Sequence, residues 1–275
     1  MYRERSARPA GAVVWTRTAD GRPARVLPDG CTDLIWCDTG GAGELLVAGP
    51  DTVAHLARAP EGTRYTGLRF APGTGPAVFG VPAHELRNLR VPLDALWPDA
   101  EVRRLADMLA GGDRPGRVLE TAAVARLAGA PPADPVIGAV VAGLRGGAPV
   151  AAVADRVGLS ARQLHRRALA AFGYGPKTLA RVLRMNRALD AAREGRPFAE
   201  VAAATGYADQ AHLAREVRAL TGVPLGALTA VPGSGTGDAT PGTGTGTGDA
   251  GHHRSAGPGD AGQHRSAGPG DATPD

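Results

Sequence analysis

The chain has 275 residues, room for two domains and a linker, and 31 basic against 27 acidic side chains leave a formal net charge of only +4. Two cysteines, Cys31 and Cys37, are too few for a disulfide scaffold. No apolar run reaches the length of a membrane span, and residues 1–6 carry no cationic-then-apolar leader. A reduced cytoplasmic compartment is therefore expected, and membrane-spanning and disulfide-stapled classes are set aside.

Residues 12–70 give short apolar runs (AVVWTR, ARVL, TDLIW, ELLVAG, TRYTGLRF) between turn clusters at 28–30, 39–43 and 49–51. Several strands at such close spacing predict an antiparallel barrel or sandwich. Along 31–37, Cys31, Asp33, Ile35 and Cys37 share one face and Thr32, Leu34 and Trp36 the other. Neither face is plainly the solvent side, as suits a strand in a barrel or sandwich wall. After residues 71–76 the texture becomes helical. The segment 99–110 places Val102, Leu105, Ala106 and Leu109 on one stripe, and 117–128 does the same with Val118, Leu119, Ala122 and Leu127. These helices either cover the sheet or meet those of a second subunit.

The Pro-rich stretch 129–135 marks a domain boundary, followed by an apolar helix at 135–145. Two copies of one pattern come next. VAAVADRVGLSARQLHRRALAAFG turns at Gly158, and FAEVAAATGYADQAHLAREVRALTG turns at Gly206, 48 residues later. Each has small or branched apolar residues before the glycine and an apolar residue after it, Leu159 or Tyr207. Glycine accepts the positive φ of a tight turn and the apolar flanks pack one helix across the next, which is what a helix-turn-helix requires. A helix from Pro176 to about Arg193 joins the copies and spans roughly 27 Å at 1.5 Å per residue. With the width of the units added, it sets two reading helices about one DNA turn, ~34 Å, apart.

Charge is concentrated here. Residues 146–230 hold 12 basic and 6 acidic side chains, against 17 and 16 in residues 1–145 and 2 and 5 from 231 onward. A local positive excess on helices suits a polyphosphate partner, although a solvated arginine face gives the same count. Thirty of the 31 basic residues are arginine, a bias that reflects genome composition as much as function. From 231 the chain is Gly, Pro, Thr, Ser and Asp, with an eleven-residue repeat starting at 248 and 259, and disorder is expected. His252, His253 and His264 in that tail suggest metal capture less than an inert repeat.

On these residues, the region from about 135 to 228 resembles the DNA-binding domain of AraC/XylS-type bacterial transcription regulators. Residues 26–36 and 85–97 are similar to the cupin-like sensor half of a group of actinobacterial regulators. The resemblance implies an α+β chain organised as a cupin-like β domain at 1–97, a helical linker or dimerisation segment at 98–130, a double helix-turn-helix at 131–230 and a low-complexity tail at 231–275. It implies double-stranded operator DNA as partner and allows RNA polymerase; the β half is expected to sense a small-molecule effector, whose identity the resemblance does not imply, or to dimerise with a second copy of the chain.

Ser160 is a good N-cap for the first reading helix, whose Arg162, Gln163 and Arg166 are base-reading candidates because arginine matches guanine and glutamine matches adenine. By family position Gln210, His212 and Arg215 read bases in the second helix. His165, Arg167, Lys177 and Arg181 are phosphate candidates, and Arg184 is expected to be structural. Any one of these side chains is as well explained by backbone or water contact. Leucine and valine stand at 213 and 217 where the family usually has phenylalanine, and Ala208 replaces the usual cap, with Asp209 as substitute. Trp15, Asp33, Trp36 and Arg69 are candidate effector-pocket residues. A protein-interaction module is the competing reading. A cupin-type enzyme is the third, and it is disfavoured because the strand region has only His55, with His84 after it, and no His-Xaa-His. Cys31 beside Asp29 and Asp33 reads as structural, since acidic neighbours raise a thiol's pKa. No metal, cofactor or catalytic set is expected.

Overall fold

The computed structural model describes residues 2–8, 11–40 and 43–229. The expected disordered tail from 231 and its histidines lie outside them. Among the described residues, eight strands precede the helical half: β1 (Tyr2–Ala7), β2 (Ala12–Thr18), β3 (Ala24–Val26), β4 (Thr32–Asp38), β5 (Glu44–Ala48), β6 (His55–Ala57), β7 (Arg64–Phe70) and β8 (Arg90–Pro92). Six form one antiparallel sheet in the order β1-β2-β7-β4-β5-β8, and β3 pairs β6 as a separate antiparallel ribbon. The expected antiparallel β half is therefore present as a sheet and a ribbon.

The period-2 alternation of the strands decides where each face goes. Val14, Leu34, Trp36, Leu45, Val47, Leu68 and Phe70 point into one core. Helices α1 (Gly75–Phe79), α2 (Asp99–Ala110) and α3 (Pro115–Ala128) cover that face, adding Val78, Phe79, Leu105, Leu109 and Leu119. The stripes expected at 99–110 and 117–128 thus cover the sheet. The opposite face carries Trp15, Asp33, Ile35, Leu46 and Arg69 and borders a cavity. Trp15 lies flat enough on its neighbour in β7 that a Cβ at Gly67 would sit 2.1 Å from the indole, so that position admits only glycine.

The helical half comprises α4 (Pro135–Arg145), α5 (Val150–Arg156), α6 (Ala161–Phe172), α7 (Pro176–Arg193), α8 (Phe198–Thr205), α9 (Gln210–Thr221) and α10 (Leu225–Thr229). Gly158 (φ +66°) and Gly206 (φ +81°) occupy the left-handed turn conformation anticipated for them. Two apolar cores result. The first gathers Val140, Leu144, Val153, Leu164, Ala168 and Phe172, and the second Val201, Ala202, Tyr207, Leu213, Val217 and Leu220. The connecting helix α7 contributes to both, with Leu179 and Leu183 in the first and Met185, Ala188 and Leu189 in the second.

The β half touches each helix-turn-helix unit differently. Against the first, the contact is apolar: Gly173 (φ +81°) approaches Pro50 and the Ala83 carbonyl so closely that a Cβ would lie 2.7 and 3.0 Å from them, and Gly73 abuts Ile137 and Phe172. Against the second, Leu27 packs on the second core and hydrogen bonds add to that contact. The Ala54 amide donates to the Leu220 carbonyl at 2.7 Å and the Arg25 guanidinium to the Thr221 carbonyl at 2.6 Å. Asn186 of α7 donates to the Pro28 carbonyl at 3.0 Å.

Candidate nucleic-acid interface and ligand cavity

The first reading helix, α6, begins at Ser160, whose extended backbone and side-chain oxygen make a capping box: the Gln163 amide donates to Ser160 Oγ at 3.3 Å and the Ser160 amide to Gln163 Oε1 at 2.9 Å. This corrects the expectation for Gln163. Its carbonyl oxygen serves the cap and is not free for bidentate pairing with adenine. Arg162 and Arg166 are exposed, and among the described residues neither has an ion-pair partner. Arg167, expected on phosphate, instead reaches Asp134 at 2.9 Å, the residue that also caps α4. His165 is exposed but lies against the α6–α7 turn, where a Cβ at Gly175 would meet its ring at 2.7 Å.

In the second unit the helix start has shifted as the missing cap at Ala208 requires. Asp209 accepts from the His212 amide at 2.6 Å. His212 is turned inward: its Nδ1 accepts from the Ala208 amide at 3.3 Å and its ring meets Tyr207 edge-on at 5.3 Å. That role stabilises the turn and removes His212 from the free base-reading set. Gln210 and Arg215 remain exposed without an ion-pair partner among the described residues, and Leu213 and Val217 are fully buried. Arg181, expected on phosphate, donates twice to Glu216 at 3.0 and 3.1 Å, and that pair holds the Glu216 carboxyl below the usual carboxylate range. Arg184 stacks over Tyr207 at 4.3 Å and lies 3.6 Å from Glu216, which makes it structural. Lys177 stands exposed in the first turn of α7. Among the described residues, the candidates with no hydrogen-bond or ion-pair partner in the protein are Arg162, His165, Arg166, Lys177, Gln210 and Arg215.

The second feature is a cavity of about 740 Å³ between the outer face of the sheet and the β3–β6 ribbon, with Asn186 and Arg193 of α7 at its margin. Three of the four expected residues line it: Trp15, Asp33 and Arg69. Trp36 does not. The alternation along β4 sends it to the opposite face, where it is 5% exposed within the sheet-and-helix core. Asp33 accepts from Trp15 Nε1 at 2.6 Å and from Arg69 Nε at 3.2 Å. Burial pushes the Asp33 carboxyl up, and Arg69 opposes the shift. Arg69 also lies 3.4 Å from Asp29, and Arg90 closes another wall by pairing with Asp51. The Cys31 thiol is raised well above its ordinary range by burial and by Asp29, the reverse of an activated nucleophile. Among the described residues no group of three or more His, Cys, Asp or Glu could hold a metal ion. No described helix is long and apolar enough to cross a membrane.

Sequence reasoning missed Arg25, Leu46, Asp51 and Asn186 on the cavity wall. Arg25 sits in a three-residue strand between loops and Asn186 inside a helix read as a spacer, so no periodicity singles them out.

Two small basic helix-turn-helix units on one shared helix, each presenting a capped helix with free arginine or glutamine side chains, define a DNA-binding domain of the kind found in transcription regulators. Residues 153–230 match the family model of a helix-turn-helix domain, here of the AraC type, and residues 12–92 match a domain of unknown function (DUF6597). The chain thus carries an AraC-type DNA-binding domain behind its β half. Solved structures similar in fold include ToxT from Vibrio cholerae O395, with a TM-score of 0.41 and 8% identity over 80% of this chain and 98% of that one. Another is unsaturated fatty acid bound wild-type ToxT from Vibrio cholerae strain SCE256, with a TM-score of 0.43 and 9% identity over 79% and 94%. No curated protein matches the sequence.

Proposed function

We propose that this protein regulates transcription by placing α6 and α9 against operator DNA while a small molecule occupies the cavity of the β half. The observation that carries this reading is the shared connector: α7 enters both helical cores, so the two reading helices are presented as one body. Arg162 and Arg166 read bases from α6, Gln210 and Arg215 from α9, and Lys177 meets phosphate. In this reading the effector is held mainly by residues before 98, with Asn186 and Arg193 of α7 at the cavity, and DNA by residues after 131. RNA polymerase and a second copy are the further partners it would engage. The cavity is within the size range of small-molecule sites, and its mix of apolar walls and a few convergent polar groups is typical of them.

The test is a mobility-shift titration of the full chain against its own upstream DNA and a random duplex at two salt concentrations. A preference for the upstream duplex of about 10³ or more, with affinity falling as salt rises, is the expected result. Equal affinity for both duplexes would sink the reading and favour a protein-binding role for the helical units.

A further inference from the structure

Arg181 is well placed for the DNA backbone and already taken. It follows Lys177 by four residues on α7, so the two side chains share one face of that helix, about 6 Å apart along its axis. The Arg181 side chain is 43% exposed, yet its Nε and Nη2 donate to the two Glu216 carboxylate oxygens at 3.0 and 3.1 Å. That is the two-bond fork an arginine makes with a phosphate, with a carboxylate in the phosphate's place.

The acid holds firmly. Glu216 is 19% exposed and has a second cation, Arg184, at 3.6 Å. Arg184 has its own tasks, stacking over Tyr207 and donating from Nη1 to the Gly206 carbonyl at 3.3 Å, so Arg181 is the cation that Glu216 keeps from solvent. Glu216 directly follows Arg215 on α9, and a carboxylate at that place weakens the pull on a polyanion. The first unit has a looser counterpart. There Arg167 donates one bond to Asp134 at 2.9 Å, and the two side chains are 43% and 42% exposed. So exposed an ion pair is worth little, and a phosphate can displace it.

We infer that Glu216 is an internal stand-in for a DNA phosphate: it withholds Arg181 from the backbone and so holds down the second unit's affinity for duplex of any sequence. The inference rests on the DNA-binding reading above and adds a residue that sets the sequence-independent part of that binding. With Arg181 occupied, Lys177 is what this face of α7 offers the backbone, and Gln210 and Arg215 of α9 carry a larger share of the second unit's hold on DNA. Neutralising Glu216 releases one cation, and one further phosphate contact steepens the logarithmic salt dependence by about 0.9.

The experiment titrates a random duplex with the full chain from about 50 to 200 mM salt. Glu216→Gln should bind more tightly than wild type at low salt, with a slope steeper by about 0.9, so that its advantage shrinks about threefold across that range. Arg181→Ala alone should leave the wild-type slope unchanged, because that arginine meets no phosphate, and in the Glu216→Gln background it should restore the wild-type slope. Glu200→Gln neutralises an exposed acid of α8 that has no hydrogen-bond or ion-pair partner among the described residues, and it should leave the slope unchanged. A slope lowered by about one in Arg181→Ala overturns the inference, since Arg181 would then already be on phosphate. A Glu216→Gln slope equal to wild type overturns it as well, and so does an equal steepening in Glu200→Gln, which would reduce the effect to net charge. If Glu216→Gln fails to fold, the Arg181→Ala slope decides alone. Failure of the regulator reading is a different result, loss of operator preference in the wild-type chain, and it leaves these slopes readable on random duplex.

Discussion

The two helix-turn-helix units share a pattern but are anchored by different physics. The first has a two-way capping box at Ser160 and meets the β half through close apolar contact at Gly173 and Gly73. The second has a one-way cap at Asp209, a buttress made by Arg181, Arg184 and Glu216, and a contact with the β half in which hydrogen bonds from Ala54 and Arg25 join the packing of Leu27. An apolar contact loses its packing outright when separated, whereas a hydrogen bond exchanges its partner for water at a net cost of about 1 kcal/mol. The second unit's seam thus adds exchangeable bonds to its packing, which the first unit's does not.

The largest expected effect breaks the units themselves. Leu164→Ala and Leu213→Ala each delete a fully buried side chain and should cost about 2–5 kcal/mol by chemical denaturation. If the units are energetically alike the two costs agree, and a clearly smaller value for Leu213→Ala would show that the second core collapses more readily. Next, Gly173→Val attacks the apolar seam. The new side chain must adopt a left-handed φ against Pro50 and Ala83, and a loss of about 2–3 kcal/mol in thermal melts is expected. The same change at Gly206, where a Cβ meets nothing within 4 Å, should cost only the backbone strain, about 1–2 kcal/mol.

At the DNA, Arg162→Ala should lose about 1–3 kcal/mol of discrimination at one base position, whereas Lys177→Ala should weaken all sequences alike and lower the salt slope by about one, both read by titration on operator variants. Ser160→Ala removes the capping box and should cost about 1 kcal/mol. The smallest effect is a pH dependence. Glu216 has its carboxyl pKa depressed by Arg181, so the pair's stabilisation is present above about pH 4.5 and is lost as pH falls through the lower folded value. Because both partners are partly exposed it should be under about 1 kcal/mol, seen as a wild-type advantage over Glu216→Gln at about pH 7 that shrinks as pH falls below about 4.5 in urea titrations.

Much of the fold is legible in the sequence, and what is not has identifiable causes. The helices at 99–110, 135–145 and 176–193 are readable because their apolar positions repeat at helical spacing and a proline opens two of them. The strand β1 escapes notice because its YRERSA has no apolar face: it is a solvent-exposed edge. β6 and β8 have three residues each, too short for any periodicity, and β8 ends in a proline that an edge strand tolerates. Of the candidate site, composition identifies which residues are polar and exposed but not which are spoken for. Gln163, Arg167, Arg181 and His212 look in sequence like Arg162 or Gln210, and only the fold reveals that a cap, Asp134, Glu216 and Tyr207 engage them. Trp36 misleads for a different reason, since choosing which face of β4 is covered requires knowing where α2 and α3 go.

Because α7 feeds Leu179 and Leu183 to one core and Met185 and Leu189 to the other, the two DNA-reading units are not interchangeable cassettes. A chimera that grafts either one from another regulator has to be spliced inside α7, between Leu183 and Met185. Any junction placed in the loops on either side leaves one unit with the α7 part of its interior supplied by a stranger.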